Sequence, residues 1–174
     1  METALTQAEG KYLTFYLGRE EFGLEILKVR EIVALMEITA VPMTAQHIRG
    51  VINLRGKIIP VVDMRRKFSL PDIPVTRDTC IITVMVEGKE GEVLTGLLVD
   101  KVNEVAQVSA AEVELVPALG EDLKLDFVRG ISKTKGRVLV LLDIDKVMKE
   151  QDLQLLKKLG KLTTGQPSPA LKKA

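Results

Sequence analysis

Short apolar runs, separated by glycine and other turn residues, recur along most of the chain. Examples are "YLTFYLG", "KIIPVVD", "TCIITVMVEG" and "GRVLVLLDID". Runs of this length that are rich in Val, Ile and Leu are typical of strands in a β-rich fold. The pattern therefore predicts an all-β protein with about five short strands in each half of the chain.

Helical patterns are few. Asp63 precedes "MRRKF" and Asp143 precedes "IDKVMKE", so each acid is suited to cap the N-terminus of a short helix. An amphipathic C-terminal helix over 150–161 is predicted by three leucines spaced three residues apart, Leu153, Leu156 and Leu159.

The chain also contains an internal repeat. Residues 49–64, "RGVINLRGKIIPVVDM", align without gaps with residues 129–144, "RGISKTKGRVLVLLDI", and share Arg, Gly, Gly and Asp. Residues 23–33, "GLEILKVREIV", match residues 96–106, "GLLVDKVNEVA", at five of eleven positions. Because the two blocks occur in the same order in both halves, we infer a duplication.

The duplication predicts two similar barrels. Five short strands with tight glycine turns cover a small core most economically by curling into a barrel, which also removes exposed strand edges. One barrel of about 65 residues is marginally stable, so we expect the two to pack together and allow them to exchange terminal strands. The expected bounds are a disordered tail at 1–10, a first barrel at about 11–70, a second barrel at about 78–145, a helix at 150–161 and a disordered tail at 162–174.

The glycines of "GVINLRGK" are spaced for a turn rather than for a phosphate-binding loop. Five residues separate Gly50 from Gly56 and Lys57 is followed by Ile58, whereas a Walker A loop has four residues between its glycines and Ser or Thr after its Lys. The motif instead predicts a strand, a turn and a returning strand. Gly56 supplies a positive φ at that turn, as Gly136 does in the second copy.

Differences between the two copies locate candidate functional residues. "INLR" at 52–55 is replaced by "SKTK" at 132–135, so only the first hairpin presents Asn53 and Arg55. Arginine offers a planar, multidentate donor that lysine lacks. Glu31, on a strand that alternates between two faces, is placed to pair with Arg55 and orient it; the alternative is an exposed ion pair worth roughly 0–1 kcal/mol.

Composition weakens several other functions. The chain has 25 basic and 24 acidic residues, for a net charge of +1, and aromatic residues are only 3%. This balance argues against a field or a stacking surface for nucleic acid. The single His47 and the single Cys80 match no metal-ligand spacing, so we expect no metal site, a hydrogen-bonded or solvated histidine and a buried cysteine.

By elimination, the sequence predicts a protein-binding module rather than an enzyme. It contains no catalytic constellation and no cofactor motif. No secretory signal and no apolar run of about 18 residues occurs, so we expect a soluble cytoplasmic protein.

The stretch "IRGVINLRGKIIPVVDMRRKF", preceded by "EFGLEILKVREIV", closely resembles the CheW family of bacterial chemotaxis coupling proteins. The resemblance runs from about Lys11 to Leu159, and its pattern "RG-x-x-NLRG-x-x-x-P-x-x-D-x-R-x-x-F" is highly specific. It implies a CheW-like domain over 11–149 built from two SH3-like five-stranded β-barrels. It also implies a non-enzymatic adaptor, without a cofactor, that couples methyl-accepting chemotaxis receptors to the histidine kinase CheA.

The resemblance further implies a receptor groove where the two barrels meet, occupied by the cytoplasmic tip of the receptor. The family's receptor-facing positions fall on Val29, Glu31, Ile32, Gly50, Arg55, Val102 and Val105, to which we add Asn53 from the hairpin. The glutamate and arginine are paired in the family, which favours an oriented Arg55. Because the regulatory domain of the kinase is itself CheW-like, barrel-to-barrel contacts with CheA are implied, at residues that the sequence does not place.

Two functional classes remain open. The first is the adaptor, recruited from the cytoplasm to membrane-associated chemoreceptor arrays. The second is a small β-barrel that binds nucleic acid, which requires a basic, aromatic-bearing face that six Phe and Tyr residues scarcely supply. A nucleotide-dependent enzyme ranks third. With 174 residues, the chain has no room for a receiver or kinase ATPase domain, so we expect a free coupling protein rather than a CheV or CheA.

Overall fold

In a computed structural model of the chain, the described residues are 7–42, 44–115, 126–134 and 136–161. Of the two tails expected to be disordered, residues 1–6 of the first and all of the second, 162–174, lie outside this range. Within the expected N-terminal tail, however, Ala8 is buried and its carbonyl oxygen accepts a 2.7 Å hydrogen bond from the Tyr12 hydroxyl. Ordered structure therefore begins before residue 11.

The all-β prediction is confirmed, since strands dominate the described residues. In chain order, the strands are β1 (Gly10–Leu17), β2 (Glu20–Glu25), β3 (Val29–Ala34), β4 (Ile48–Leu54), β5 (Lys57–Asp63), β6 (Cys80–Gly88), β7 (Gly91–Val99), β8 (Lys101–Val108), β9 (Val113–Glu114), β10 (Val128–Thr134) and β11 (Arg137–Leu142). The described residues also include the helices α1 (Met64–Lys67), α2 (Ile144–Val147) and α3 (Glu150–Gly160), with 3-10 turns at Ile26–Lys28 and Ala110–Glu112.

All three predicted helices are present. The Asp63 carboxylate caps α1 by accepting a hydrogen bond from the Arg66 N–H, and the Asp143 carboxylate caps α2 through the Asp145 N–H. Helix α3 ends one residue before the predicted C-terminal bound. Such short local patterns are readable from sequence because the capping acid lies within three residues of its partner.

The strands form two sheets, and each sheet takes strands from both halves of the chain. The first sheet has the order β8-β1-β2-β11-β10-β9, and the second has the order β3-β6-β7-β5-β4. Strands β1 and β2 therefore join the second half, whereas β6 and β7 join the first. This exchange is the reason that the bounds of 11–70 and 78–145 do not coincide with the sheets.

The duplication is preserved in strand register. In the first sheet β11 runs parallel to β2, with Leu141 opposite Gly23, and in the second sheet β5 runs parallel to β7, with Val61 opposite Gly96. These are the same positions that the sequence repeat aligns. The β4–β5 and β10–β11 hairpins also share a register shift next to their Arg-Gly pairs, so the two copies keep one strand arrangement.

The largest hydrophobic core is shared between the sheets. Each sheet has a small cluster of its own: the first includes Tyr12, Leu139 and Leu141, and the second includes Ile59, Val61 and Ile81. Both sheets and all three helices then contribute to the central core, which includes Leu13, Phe15, Leu24, Val62, Met64, Ile82, Val84, Leu97, Leu142, Ile144 and Leu156. Because each such side chain contributes about 1.5–3 kcal/mol when buried, neither sheet has its full stabilisation alone.

The four phenylalanines of the chain form one stacked row across this core. The ring centroids of Phe15 and Phe22 lie 5.6 Å apart, those of Phe22 and Phe68 lie 5.6 Å apart, and those of Phe68 and Phe127 lie 5.8 Å apart. The row links β1 and β2 to the C-terminal end of α1 and to the residue before β10. Aromatic contacts of this kind stabilise by about 0.5–1.5 kcal/mol beyond their buried area.

Asp152 ties helix α3 to the first half of the chain. Its carboxylate, which is buried, lies 2.7 Å from Nε2 of His47 and 2.7 Å from Nζ of Lys67. Burial alone raises the pKa of Asp152, but hydrogen bonds from Lys67, His47 and the Lys149 N–H outweigh it and lower the pKa. His47 is thus hydrogen-bonded, as the sequence analysis favoured.

Replacing Asp152 with asparagine should destabilise the protein in a pH-dependent way. Because the folded-state pKa is lowered, the carboxylate stabilises the fold above its unfolded pKa of about 3.9, and this contribution is lost as the pH falls through the folded value. We expect D152N to lose about 1–3 kcal/mol at pH 7. Urea unfolding from pH 7 to pH 3 measures this, with E150Q as a control on the same helix; a wild-type advantage over D152N that stays constant down to pH 3 would contradict the prediction.

Replacing Gly96 with alanine should disturb the small core of the second sheet. A Cβ at Gly96 would lie 2.8 Å from Cγ2 of Ile81 and 3.4 Å from Cγ2 of Val61. We expect a loss of about 1–3 kcal/mol from overpacking, measured by thermal unfolding. In the matched variant Gly160→Ala, a Cβ meets no heavy atom of the described residues within 4 Å; equal losses in both variants would show that packing is not the cause.

Candidate functional site

Glu31 and Arg55 form an ion pair at the surface, as the sequence analysis expected. Arg55 Nη2 donates a hydrogen bond to Oε1 of Glu31. The Arg55 side chain is 70% exposed and that of Glu31 is 37% exposed. An ion pair this exposed stabilises the fold by only about 0–1 kcal/mol. Its main structural effect is that the hydrogen bond to Glu31 orients the Arg55 guanidinium group.

The pair joins elements that are far apart in the order of the sheet. Glu31 lies on β3, at one end of the second sheet, and Arg55 lies in the turn between β4 and β5, at the other end. The two meet because the sheet curls round to bring its ends together. The position of Arg55 is therefore fixed by the closure of the barrel as well as by its own hairpin.

The hairpin turn holds Arg55 in an uncommon backbone conformation. Leu54 pairs with Lys57, which leaves a two-residue turn in which Arg55 has a φ of 53° and Gly56 has a φ of 87°. A positive φ at both positions matches the type I′ turn that suits a two-residue hairpin. Asn53 supports this turn, since its Oδ1 accepts a 2.9 Å hydrogen bond from the Gly56 N–H. The sequence predicted the conformation of Gly56 but not that of Arg55.

The other predicted residues divide between the two sheets. Val29 and Ile32 lie on β3 in the second sheet, and Val102 and Val105 lie on β8 at the edge of the first. Val29 and Val102 are half-buried, and both pack against the central core. Ile32 is 47% exposed and Val105 is 53% exposed. These four predicted residues thus comprise two half-buried side chains that pack on the shared core and two exposed apolar side chains.

Gly50 has a structural role beneath this surface. It is buried, its φ is 139°, and a Cβ there would lie 2.0 Å from the carbonyl oxygen of Thr39. Thr39 forms an isolated β-bridge with Val51. Gly50 therefore allows two backbone segments to approach closely, and it does not itself present a contact surface.

Two features of the surface were missed by the sequence analysis. Leu27, in the turn before β3, is 82% exposed. The repeat aligns it with the polar Asp100, and this polar counterpart was the sequence feature that could have predicted an exposed position. Arg137 donates hydrogen bonds to Glu21 at 2.6 Å and to Glu104 at 2.7 Å. Glu104 is the counterpart of Glu31, so each copy of the repeat pairs this glutamate with an arginine, although Arg55 lies in a turn and Arg137 begins strand β11.

Electrostatics distinguishes the two arginines. The carboxylates of Glu21 and Glu104 raise the pKa of Arg137. Glu21 is buried, which alone raises its pKa, but hydrogen bonds from Arg137, Asn103 and Thr14 outweigh burial and lower it. Arg137 is therefore tied to a buried carboxylate, whereas Arg55 contacts a partly exposed one and keeps most of its surface in solvent.

The described residues contain no group of three or more His, Cys, Asp and Glu side chains placed to hold a metal ion. Cys80 is buried, and burial raises the pKa of its thiol. In the same part of the chain, no helix is both long enough and apolar enough to cross a membrane.

Comparisons with known proteins agree with the motifs. Residues 11–152 match the family model of the CheW-like domain. The chain is 32% identical over 151 residues to a chemotaxis protein CheW of Klebsiella aerogenes, covering 87% of this chain and 89% of that protein. It is 30% identical to the chemotaxis protein CheW of Bacillus subtilis, covering 87% and 95%.

A solved structure agrees with the fold. The crystal structure of the scaffolding protein TtCheW from Thermoanaerobacter tengcongensis superposes with a TM-score of 0.71 at 34% identity, covering 81% of this chain and 93% of that chain. The resemblance seen in the sequence motifs is confirmed, and so is the two-subdomain SH3-like fold that it implied.

Proposed function

The chain belongs to the CheW-like family, and on that premise we propose that it is a chemotaxis scaffold that couples methyl-accepting chemotaxis receptors to the histidine kinase CheA. The proposal assigns it no enzymatic step and no cofactor. It places the protein in the cytoplasm, recruited to membrane-associated receptor arrays.

The oriented, exposed Arg55 is the observation that carries this proposal. Arginine has five N–H donors in a planar fork. Glu31 holds one edge of the fork, and the 70% exposure of the side chain leaves the remainder facing solvent. A pre-oriented arginine costs less conformational entropy on binding than a free one, which makes it suited to a partner contact.

The apolar residues beside this pair fit the proposed receptor contact. Ile32 follows Glu31 on β3 and is exposed, and Val29 and Val102 reach the core that both sheets share. We place the cytoplasmic tip of the receptor along this surface, with Val105 on β8 completing the apolar part. A central apolar contact with an arginine at its side is a common composition of protein interfaces.

The kinase contact is proposed at the level of the domain. The regulatory domain of CheA is CheW-like, so we propose barrel-to-barrel contacts without assigning their residues. The competing nucleic-acid function is less well supported, because the three arginines Arg65, Arg66 and Arg137 all pair with carboxylates. A gel-shift assay run beside a pull-down with kinase and receptor fragments tests the two classes together.

Replacing Arg55 with alanine should weaken receptor binding without unfolding the protein. We expect about a tenfold loss of affinity for a receptor cytoplasmic fragment, as for an interface arginine worth about 1.4 kcal/mol. Stability should change by about 0.5 kcal/mol at most, because the side chain lies at an exposed turn. Calorimetric titration and thermal unfolding measure the two effects.

The matched control for Arg55→Ala is Lys133→Ala, which removes an exposed ion pair with Glu114 from the second hairpin. The control should bind receptor as the wild type does. A large loss of thermal stability in Arg55→Ala would show that the residue serves the fold instead.

Replacing Val105 with glutamate should block receptor docking by placing a charge in the apolar surface. An unpaired buried charge costs several kcal/mol, so binding should fall below detection in a pull-down. Val138→Glu is the matched control, because Val138 is 55% exposed on β11 of the same sheet. Unchanged binding by the Val105 variant would mean that the groove is misplaced.

A further inference from the structure

We infer that Thr83 is a positioning residue for the Glu31–Arg55 pair and, through that pair, for receptor docking; the second step rests on the proposed function. Thr83 lies on β6 and is 1% exposed, so it does not reach a partner itself. Its effect on binding must pass through the residues that it contacts.

The Thr83 hydroxyl forms hydrogen bonds with both the N–H and the carbonyl oxygen of Glu31. Its Oγ1 accepts a 3.0 Å hydrogen bond from the Glu31 N–H and donates a 3.1 Å hydrogen bond to the Glu31 carbonyl oxygen. A hydroxyl is suited to this because it has one donor and two acceptor sites. The peptide groups on both sides of the Glu31 Cα are thus held by one buried side chain.

These two hydrogen bonds lie where the pairing of β3 with β6 is irregular. Strand β3 shifts register against β6 between Val29 and Glu31, so an extra residue is accommodated there. Such a bulge disrupts the regular ladder and redirects the side chains that follow. By binding the backbone at the bulge, Thr83 fixes the direction in which the Glu31 carboxylate leaves the strand.

The other sheet repeats part of this arrangement, the hydrogen bond from the glutamate N–H to a buried threonine. Thr14, on β1, lies opposite Gly23 as Thr83 lies opposite Gly96. Its Oγ1 accepts a 3.2 Å hydrogen bond from the N–H of Glu104, next to a register shift between β1 and β8. A buried threonine at a bulge therefore bonds the backbone of Glu31 in one sheet and of Glu104 in the other, and each of these two equivalent glutamates pairs with an arginine.

The arginine of this arrangement is more exposed in the second sheet than in the first. Arg137 also binds the buried Glu21, and its side chain is 39% exposed, whereas that of Arg55 is 70% exposed. The bulge and its threonine are thus common to both copies. The more exposed guanidinium group, which makes the positioning of Glu31 relevant to a partner, belongs to the first hairpin.

The test compares three variants of the full chain. Thr83→Val keeps the side-chain shape and removes both hydrogen bonds, whereas Thr83→Ser keeps a hydroxyl and is the rescue variant. Thr95→Val is the matched control, because Thr95 is equally buried in the same sheet and its hydroxyl bonds the Val93 carbonyl oxygen on its own strand. Circular dichroism and thermal unfolding establish that each variant is folded at the assay temperature.

The first readout uses the free protein and does not depend on the proposed function. Nitrogen-15 relaxation of the Arg55 Nε–H group and hydrogen exchange of the Glu31 amide report whether the pair is held. We expect Thr83→Val to mobilise Arg55 and to accelerate exchange at Glu31, and Thr83→Ser and Thr95→Val to resemble the wild type. An Arg55 that is as ordered in Thr83→Val as in the wild type would overturn the inference.

The second readout is the affinity for a receptor cytoplasmic fragment. Loss of one or two hydrogen bonds of ordinary strength predicts about a three- to tenfold weaker affinity for Thr83→Val. The loss should vanish when Glu31→Gln is already present, because Thr83 acts through Glu31. If Thr83→Val loses the same affinity with and without Glu31→Gln, the role of Thr83 in docking is overturned. If Arg55→Ala binds the receptor fragment as the wild type does, the proposed receptor surface is overturned, and the first readout alone decides whether Thr83 positions the Glu31–Arg55 pair.

Discussion

The core shared between the two sheets is the constraint on which the rest of the structure depends. Strands such as β1 and β11 bury one face in the cluster of their own sheet and the other face in the central core. Three helices and a row of four phenylalanines close the same core. A strand that is buried on both faces cannot shift without exposing apolar surface, so the two subdomains stabilise each other and their relative position is fixed.

This constraint explains why a surface of modest energetic value can be well defined. The Glu31–Arg55 pair contributes little to stability because the Arg55 side chain is largely solvated and that of Glu31 is partly so. Its geometry is nevertheless set by closure of the second sheet, by the bulge that Thr83 holds and by the turn that Asn53 supports. The buried residues supply the free energy of folding, and the fold that they stabilise sets the position of the exposed pair.

The two copies of the repeat have kept equivalent packing positions but differ in their surface residues. Gly23 and Gly96 keep equivalent places opposite β11 and β5, where an added Cβ would crowd the small core of each sheet, 3.2 Å from Cβ of Tyr12 at Gly23 and 2.8 Å from Cγ2 of Ile81 at Gly96. The arginines do not keep equivalent places: Arg55 occupies a turn, whereas Arg137 begins a strand and binds a buried carboxylate. What the copies share is therefore mostly packing, and what differs is mostly surface.

Much of the fold and part of the site followed from the sequence alone. The caps at Asp63 and Asp143, the C-terminal helix and the turn at Gly56 depend on neighbours a few residues away, so a local pattern predicts them. The duplication and the Glu31–Arg55 pairing were also readable, from the alignment of the halves and from a resemblance to a known family.

Other properties were decided only by tertiary structure. These were the exchange of strands between the sheets, the burial of Gly50, the exposure of Leu27 and the bulge at Thr83. Each depends on which distant strand lies opposite a residue, and in the case of Thr83 and Glu31 the partners are 52 residues apart. An apolar run has the same local pattern whichever sheet it joins, so only the closed structure determines its neighbours.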